Sequence, residues 1–260
     1  MSYENLLLER DGGVAIVTIN RPAVRNAINH ATLDALRRAL LDLQQDESVR
    51  VVVLTGAGEK AFVAGADINE LVVQTPVGGR AHALEGQRVF DLIENLGKPV
   101  IAAINGYALG GGCELAMACT LRIAADTARI GLPEVTLGLL PGYAGTQRLA
   151  RLVGKGKALE LILTGSPVTA DEAARIGLVN RVVPAAELMT AARDLAAQLA
   201  IQAPIAMRYI LSAINQGLEM PFAEACVFEA TLFGLIASTD DMQEGTRAFL
   251  EKRKPQFTGR

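Results

Sequence analysis

The chain is short of most residues that build metal, redox or charge-driven sites. It has two histidines, His30 and His82. Both stand among polar neighbours, where surface positions are expected and a catalytic or metal-binding pair is not. The three cysteines, Cys113, Cys119 and Cys226, have no spacing of a disulfide framework or zinc knuckle. Free thiols in a reducing compartment fit them better. There is no G-x-S-x-G elbow and no Walker loop, so serine-hydrolase and nucleoside-triphosphatase chemistry lose their usual signatures. No apolar run approaches the roughly 20 residues that span a bilayer. The formal net charge is -3 and the pI about 5.6, which gives nucleic acid no bulk electrostatic attraction. The opening Met1-Ser2-Tyr3-Glu4-Asn5 lacks the basic-then-apolar order of a signal peptide. A cytoplasmic protein is expected, although a processed organelle protein would read the same way.

What remains is a well-supplied globular chain. Half of its 260 residues are hydrophobic and 20% are charged, enough for one large domain or two smaller ones without a covalent staple. Leu6 to Arg10 and Val14 to Ile19 flank Asp11-Gly12-Gly13, a strand, turn and strand. Asn29 to Asp46 carries Leu33, Leu36, Leu40 and Leu43 on one helical stripe. Val51 to Thr55 and Val100 to Ile104 are short apolar runs of the buried-strand type. Residues 71–83 hold Pro76, Gly78 and Gly79 and read as a loop or frayed helix, with a helix from Leu84 to Leu96 beyond. A short helix from Gly111 to Cys119, a strand from Leu121 to Ala125 and a loop carrying Glu134 follow. Strands alternating with helices predict an α/β fold. After Val183 only helices are expected, over 187–200, 204–217, 221–236 and 240–253, with Pro204 and Pro221 in first-turn positions. The expected division is an α/β core over 1–195 and a helical region over 196–260.

Two glutamates stand out. Glu114 follows Gly110-Gly111-Gly112-Cys113 and precedes Leu115-Ala116-Met117-Ala118. Glu134 lies in Ile130-Gly131-Leu132-Pro133-Glu134-Val135. A carboxyl group among apolar neighbours resists ionising, and a raised pKa lets it exchange a proton near neutrality. The glycines at 110–112 serve equally as a close-packed turn or as a helix N-terminus whose free N–H groups face an oxyanion. Glu114 would sit in that helix's first turn, where the dipole lowers its pKa and burial raises it. Ala61-Phe62-Val63-Ala64-Gly65-Ala66-Asp67 allows close backbone approach to a ligand, while Asp67 itself suits a helix cap. Gly56-Ala57-Gly58-Glu59-Lys60-Ala61 nearly matches a dinucleotide fingerprint. It lacks the helix that should open at once and the acidic ribose partner, and is read as a chance match.

Together these segments resemble the crotonase, or enoyl-CoA hydratase/isomerase, superfamily. The resemblance runs through Asn20-Arg21-Pro22, Ala64-Gly65-Ala66-Asp67, Asn105-Gly106-Tyr107-Ala108-Leu109-Gly110-Gly111-Gly112-Cys113-Glu114-Leu115, Pro133-Glu134, Pro141-Gly142-Tyr143-Ala144-Gly145-Thr146-Gln147-Arg148-Leu149 and Glu251-Lys252-Arg253-Lys254. Both glutamates are present, as in the hydratase branch. The resemblance implies a spiral of repeated ββα units with a C-terminal helical oligomerisation region, a homotrimer or a hexamer made of two trimers. It implies an acyl-CoA thioester substrate, with no metal and no separate cofactor, since coenzyme A is part of the substrate. The N–H groups of Ala66 and Gly111 are expected to hold the thioester oxygen, and Glu114 and Glu134 to share one water. Gly142 and Tyr143 are expected to place water and substrate. Coenzyme A is expected to meet Arg25, Ala64, Asp67, Ile68, Phe233, Phe249 and Lys252, the last three in part from a neighbouring subunit. Asn69 stands where many hydratases carry a lysine near the adenine. Tyr143 and Ala144 replace smaller residues, and Tyr143 either reshapes the acyl pocket or merely packs.

Two other readings share these residues. An enoyl-CoA isomerase, or a hydratase for an unusual acyl group, has the same fold; isomerases typically manage with one acidic group, so the pair favours hydration. An RNA-binding or scaffold relative is also conceivable, and the low charge without a dense basic helix argues against it.

Overall fold

In the computed structural model, residues 3–260 are described; Met1 and Ser2, the start of the N-terminal segment read above, lie outside them. Strands β1 (Leu6–Asp11) and β2 (Val14–Ile19) form an antiparallel hairpin across Gly12 and Gly13. The chain then winds so that each turn lays a long strand in one sheet and a short strand in a second. The successive pairs are β3 (Val51–Gly56) with β4 (Ala61–Val63), β5 (Val100–Ile104) with β6 (Tyr107–Leu109), and β7 (Leu121–Ala125) with β8 (Arg129–Gly131). Strands β9 (Val168–Thr169) and β10 (Arg181–Val183) complete the two sheets. The larger has the order β1-β2-β3-β5-β7-β10 and is parallel beyond the first hairpin. The smaller has the order β4-β6-β8-β9, parallel except for its last pair.

The large sheet is buried on both faces, which is why its central strands read as unbroken apolar runs rather than alternating ones. Val52, Leu54, Ala102 and Ile104 face a core shared with α1 (His30–Gln45), α3 (Pro76–Glu94) and α4 (Gly111–Ala118). Val51, Val53, Ile101 and Ala103 face Leu188, Ala192 and Ala196 of a later helix, Leu188–Ala200. Helix α1 begins where Asn29 accepts the Thr32 N–H, an N-cap worth about 1 kcal/mol. Between β4 and α3 lies the short α2 (Ile68–Leu71). After β8 come α5 (Gly145–Val153), α6 (Lys155–Thr164), α7 (Ala170–Arg175) and α8 (Leu188–Ala200). Helices α9 (Pro204–Gly217), α10 (Phe222–Ile236) and α11 (Asp240–Leu250) end the chain. Among the described residues no single helix is long and apolar enough to cross a membrane.

Two expectations need correction. Residues 76–83 are not a loop: Thr75 caps the Gly78 N–H, Pro76 occupies the first turn, and α3 runs unbroken to Glu94. Proline costs nothing where its N–H would be orphaned anyway, and glycines near a helix start are tolerated when later turns are packed. A boundary at residue 195 would cut α8, whose Leu188, Ala192 and Ala196 cover the sheet. The change of character comes at 201–203, just before Pro204 opens α9. The glycine-rich 56–61 segment leads from β3 into β4, not into a helix, as its reading as a chance match required.

Candidate active site

Two main-chain N–H groups are presented without partners. Gly110 holds φ 51° and ψ -123°, a conformation open essentially to glycine alone. It swings the chain from β6 into α4, leaving Gly111 as the first helical residue with an orphan N–H. Ala66 is held from both sides by the Ile28 N–H to the Gly65 carbonyl and the Asp67 N–H to the Ile28 carbonyl. No hydrogen bond is made by the N–H of Ala66 or of Gly111 among the described residues. The two groups are neighbours: a methyl placed on Gly111 would lie 3.5 Å from Ala66 N.

Beside them are the two carboxyl groups. Glu114, in the first turn of α4, is 1% exposed. Its Oε1 accepts the N–H of Tyr143 at 2.8 Å and of Gly145 at 2.7 Å. Burial, then the nearby Glu134 charge, push its pKa up to about 7, while those two N–H donors and Arg148 pull the other way. Glu134 opens a 3-10 turn, Glu134–Leu137, after Pro133. Burial raises its pKa as well, and its buried Oε2 has no hydrogen-bond partner among the described residues. Its Oε1 lies 3.0 Å from where a Cβ on Gly110 would stand. Both glutamates, Ala66 and Gly111 line one cavity of about 700 Å³, walled by Ile68, Leu71, Leu137 and Leu140. Of the opposing influences on Glu114, burial is the largest and outweighs the two N–H donors and Arg148.

Tyr143 is 3% exposed and lies against the same turn. Its ring meets Phe90 edge-on at 5.3 Å between centroids. A Cβ on Gly86 would sit 2.2 Å from that ring, so only glycine fits there. His82 Nε2 and the Tyr143 hydroxyl are 2.5 Å apart. His82 is therefore a cavity-lining residue rather than the surface residue expected, because α3 starts early enough to carry it inward. His30 is exposed and pairs with Glu85.

The expected coenzyme A contacts divide. Ala64 and Ile68 line the cavity, as do Gly142 and Tyr143, expected there to place water and substrate. Asp67 does not: its carboxylate caps the Asn69 N–H and pairs with Arg21 at 3.1 Å, the capping role being the one its sequence context favoured. Arg25 is exposed, with its guanidinium 6.0 Å from the Tyr107 ring centroid. Phe233 and Phe249 are 73% and 83% exposed; neither they nor Lys252 line the cavity of their own chain. Gln87 and Arg148, absent from the sequence expectations, hold the loop at 142–145: Gln87 Nε2 donates to the Gly142 carbonyl at 2.9 Å, Arg148 Nη1 to the Tyr143 carbonyl at 3.0 Å. The sequence signal for Gln87 is spacing, since Gln87, Asp91 and Glu94 fall on one face of α3; Arg148 lies in the 141–149 segment that carries the resemblance, without a role assigned to it there. No grouping of three potential metal ligands occurs among the described residues.

A family model described as enoyl-CoA hydratase/isomerase matches residues 9–260. A short-chain-enoyl-CoA hydratase of Clostridium acetobutylicum is 50% identical over 98% of this chain and 97% of its own. A crotonyl-CoA hydratase of Syntrophomonas wolfei is 47% identical over 99% of both. The crystal structure of an enoyl-CoA hydratase from Bacillus anthracis superposes with a TM-score of 0.95 at 41% identity, covering 99% of this chain and 100% of that one.

Proposed function

The chain belongs to the enoyl-CoA hydratase/isomerase family and is an enoyl-CoA hydratase, a hydro-lyase, and we propose that Glu114 and Glu134 act together on one water to hydrate a short 2-enoyl-CoA. The observation that carries this reading is the shared cavity, lined by the buried Glu114, the partly buried Glu134 and two residues with unpartnered N–H groups.

The thioester oxygen accepts the N–H groups of Ala66 and Gly111. Water attacks Cβ, its oxygen forming the new C–O bond while one proton passes to an ionised carboxylate. The π electrons of the double bond move toward the thioester oxygen as an enolate. Cα then takes a proton from the second carboxyl group, and the thioester carbonyl is restored. The pair begins and ends with a single proton, now on the other member, and exchange through the next water resets it. Two acids of which one feels the other's charge titrate as one system. The N–H donors on Glu114 Oε1 favour its ionised form, against burial and the Glu134 charge, which oppose it. Each donor at the oxyanion is worth about 3 kcal/mol, and the acid–base help roughly 10²–10⁴-fold. Proton transfer and polarisation complete the reaction, so coenzyme A enters only as part of the substrate.

The finer features rest on the same geometry. Tyr143, wedged against Gly86 beside Gly111, shortens the space for the acyl tail, in keeping with the short-chain and crotonyl relatives. The exposed apolar side chains Ile210, Ile214, Phe222 and Val227 of α9 and α10, with Leu218 just past the end of α9, support assembly as a trimer or a pair of trimers. Such assembly would bring Phe233, Phe249 and Lys252 of a neighbour toward a coenzyme A. The buried free thiols Cys113 and Cys119 support a reducing, cytoplasmic location. Adding enzyme to crotonyl-CoA is expected to bleach the enoyl absorbance and yield 3-hydroxybutyryl-CoA; tight binding of the ester with the absorbance unchanged would overturn hydration.

A further inference from the structure

The N–H donors on Glu114 come from a loop that is itself held in place by Gln87, at the cavity wall, and by Arg148, behind it. The peptide joining Gly142 and Tyr143 is gripped at both ends, its carbonyl by Gln87 Nε2 and its N–H by Glu114 Oε1. The carbonyl of Tyr143 is gripped by Arg148 Nη1. Ala144 between the two donors holds φ 71°, a left-handed conformation that is unfavourable for a non-glycine residue and persists only where the surroundings impose it. Arg148 is tied down in turn: Nε and Nη2 reach Glu94 Oε2 at 3.1 and 2.8 Å, and Nη2 reaches Asp91 Oδ1 at 2.7 Å. Gln87, Asp91 and Glu94 thus form one stripe of α3 that grips the 142–145 loop directly and through Arg148.

From this we infer that Gln87 and Arg148 are positioning residues: by clamping the peptides on either side of Tyr143, they fix two N–H groups on Glu114 and hold its carboxylate ready to take a proton. The inference rests on Glu114 being the base. Arg148 does not line the cavity; Gln87 does, and its part in the clamp runs through the Gly142 carbonyl. Hydrogen bonds to the ionised form of a carboxyl group favour that form, so relaxing the clamp makes Glu114 harder to ionise. The charged and titratable groups facing Glu114 are Glu134 and Arg148, with the Tyr143 phenol and the Cys113 thiol nearby. Those facing Arg148 are Asp91 and Glu94.

The test is the pH dependence of crotonyl-CoA hydration in Q87L, R148M and R148K, with melting temperatures measured alongside. Q87L removes one donor from a partly buried site and is expected to fold even if R148M, which strands two carboxylates, does not. In Q87L, kcat should fall about tenfold or more while KM changes little, because a small misplacement of a reacting group is costly. The acid limb of kcat should move to higher pH by about half a unit or more in Q87L and further in R148M. R148K, which keeps the charge without the fork, should fall between R148M and the parent. Folded Q87L with the parent's acid limb and turnover would overturn the clamp. The base assignment fails separately, through E114Q: an active E114Q removes the base, whereas an inactive E114Q beside an unaffected Q87L removes only the clamp.

Discussion

Glu114 is held where a carboxyl group is least at home, and its titration should be visible in stability as well as rate. Its pKa rises from the ordinary 4.5 to about 7 on folding, mainly through burial. A group whose folded pKa is raised contributes stability that is full below about pH 4.5 and is lost as pH rises through about 7. Glutamine in its place keeps an oxygen for the two N–H donors and never ionises. We predict that E114Q gains stability relative to the parent as pH rises, by up to about 3 kcal/mol above pH 8, while losing turnover by orders of magnitude. Thermal melting of both proteins from pH 5 to 8 checks this; a difference that does not change with pH would contradict it. For the rate, the pair must hold one proton, so kcat/KM should fall on both sides of a maximum. Glu114 and Glu134 were legible in the sequence because charge among apolar neighbours needs a reason. Gln87, Arg148 and His82 were not, since a polar residue on a helix reads as solvated until the surface its face meets is known. Asp67 shows the converse: its capping role was local and visible, while its place in a ligand-binding motif suggested more than its carboxylate does.

Helix α3 is the element that sequence reading treated worst and the site depends on most. Pro76, Gly78 and Gly79 are poor helix formers, but they occupy the first turn, where Thr75 caps and propensity matters least. The stripe that follows packs on Tyr143 and Arg148, and tertiary packing outweighs local preference. Strands β3, β5 and β7, by contrast, were plain as apolar runs because a parallel sheet covered on both faces needs nothing else. Gly86 makes the packing of α3 testable. Alanine there would drive a methyl into the Tyr143 ring, and overpacking of this kind costs about 1–3 kcal/mol; G86A should melt lower and turn over more slowly. Removing the ring has the opposite effect on space. Y143A should raise kcat/KM for octenoyl-CoA relative to crotonyl-CoA about tenfold or more, each added buried methylene being worth about 0.8 kcal/mol. An unchanged preference across a chain-length series would show that the ring only packs.

At the scale of the molecule, the winding of the chain brings distant residues to one cavity and leaves another set stranded. Ala66 follows β4, Gly111 follows β6 and Glu134 follows β8, three neighbouring strands of the small sheet. Their convergence is therefore a property of the stacked turns, which no local pattern in the sequence could show. Phe233, Phe249 and Lys252 lie away from that cavity, and α9 and α10 expose large apolar side chains. Sedimentation equilibrium is expected to give three or six chains. Charging the exposed face with Ile214→Lys should yield smaller species and raise KM for coenzyme A esters. A parent protein that sediments as a fully active monomer would contradict this.

The pairing of the two carboxyl groups is tested most directly by comparing kcat of E114Q, E134Q and the double variant with crotonyl-CoA. Groups that work as one unit on a single water lose their function together, so the double variant should be no more than about tenfold slower than the worse single one. A double variant slower by the full product of the two separate losses would mean that the glutamates act independently, and shared handling of one water would have to be abandoned.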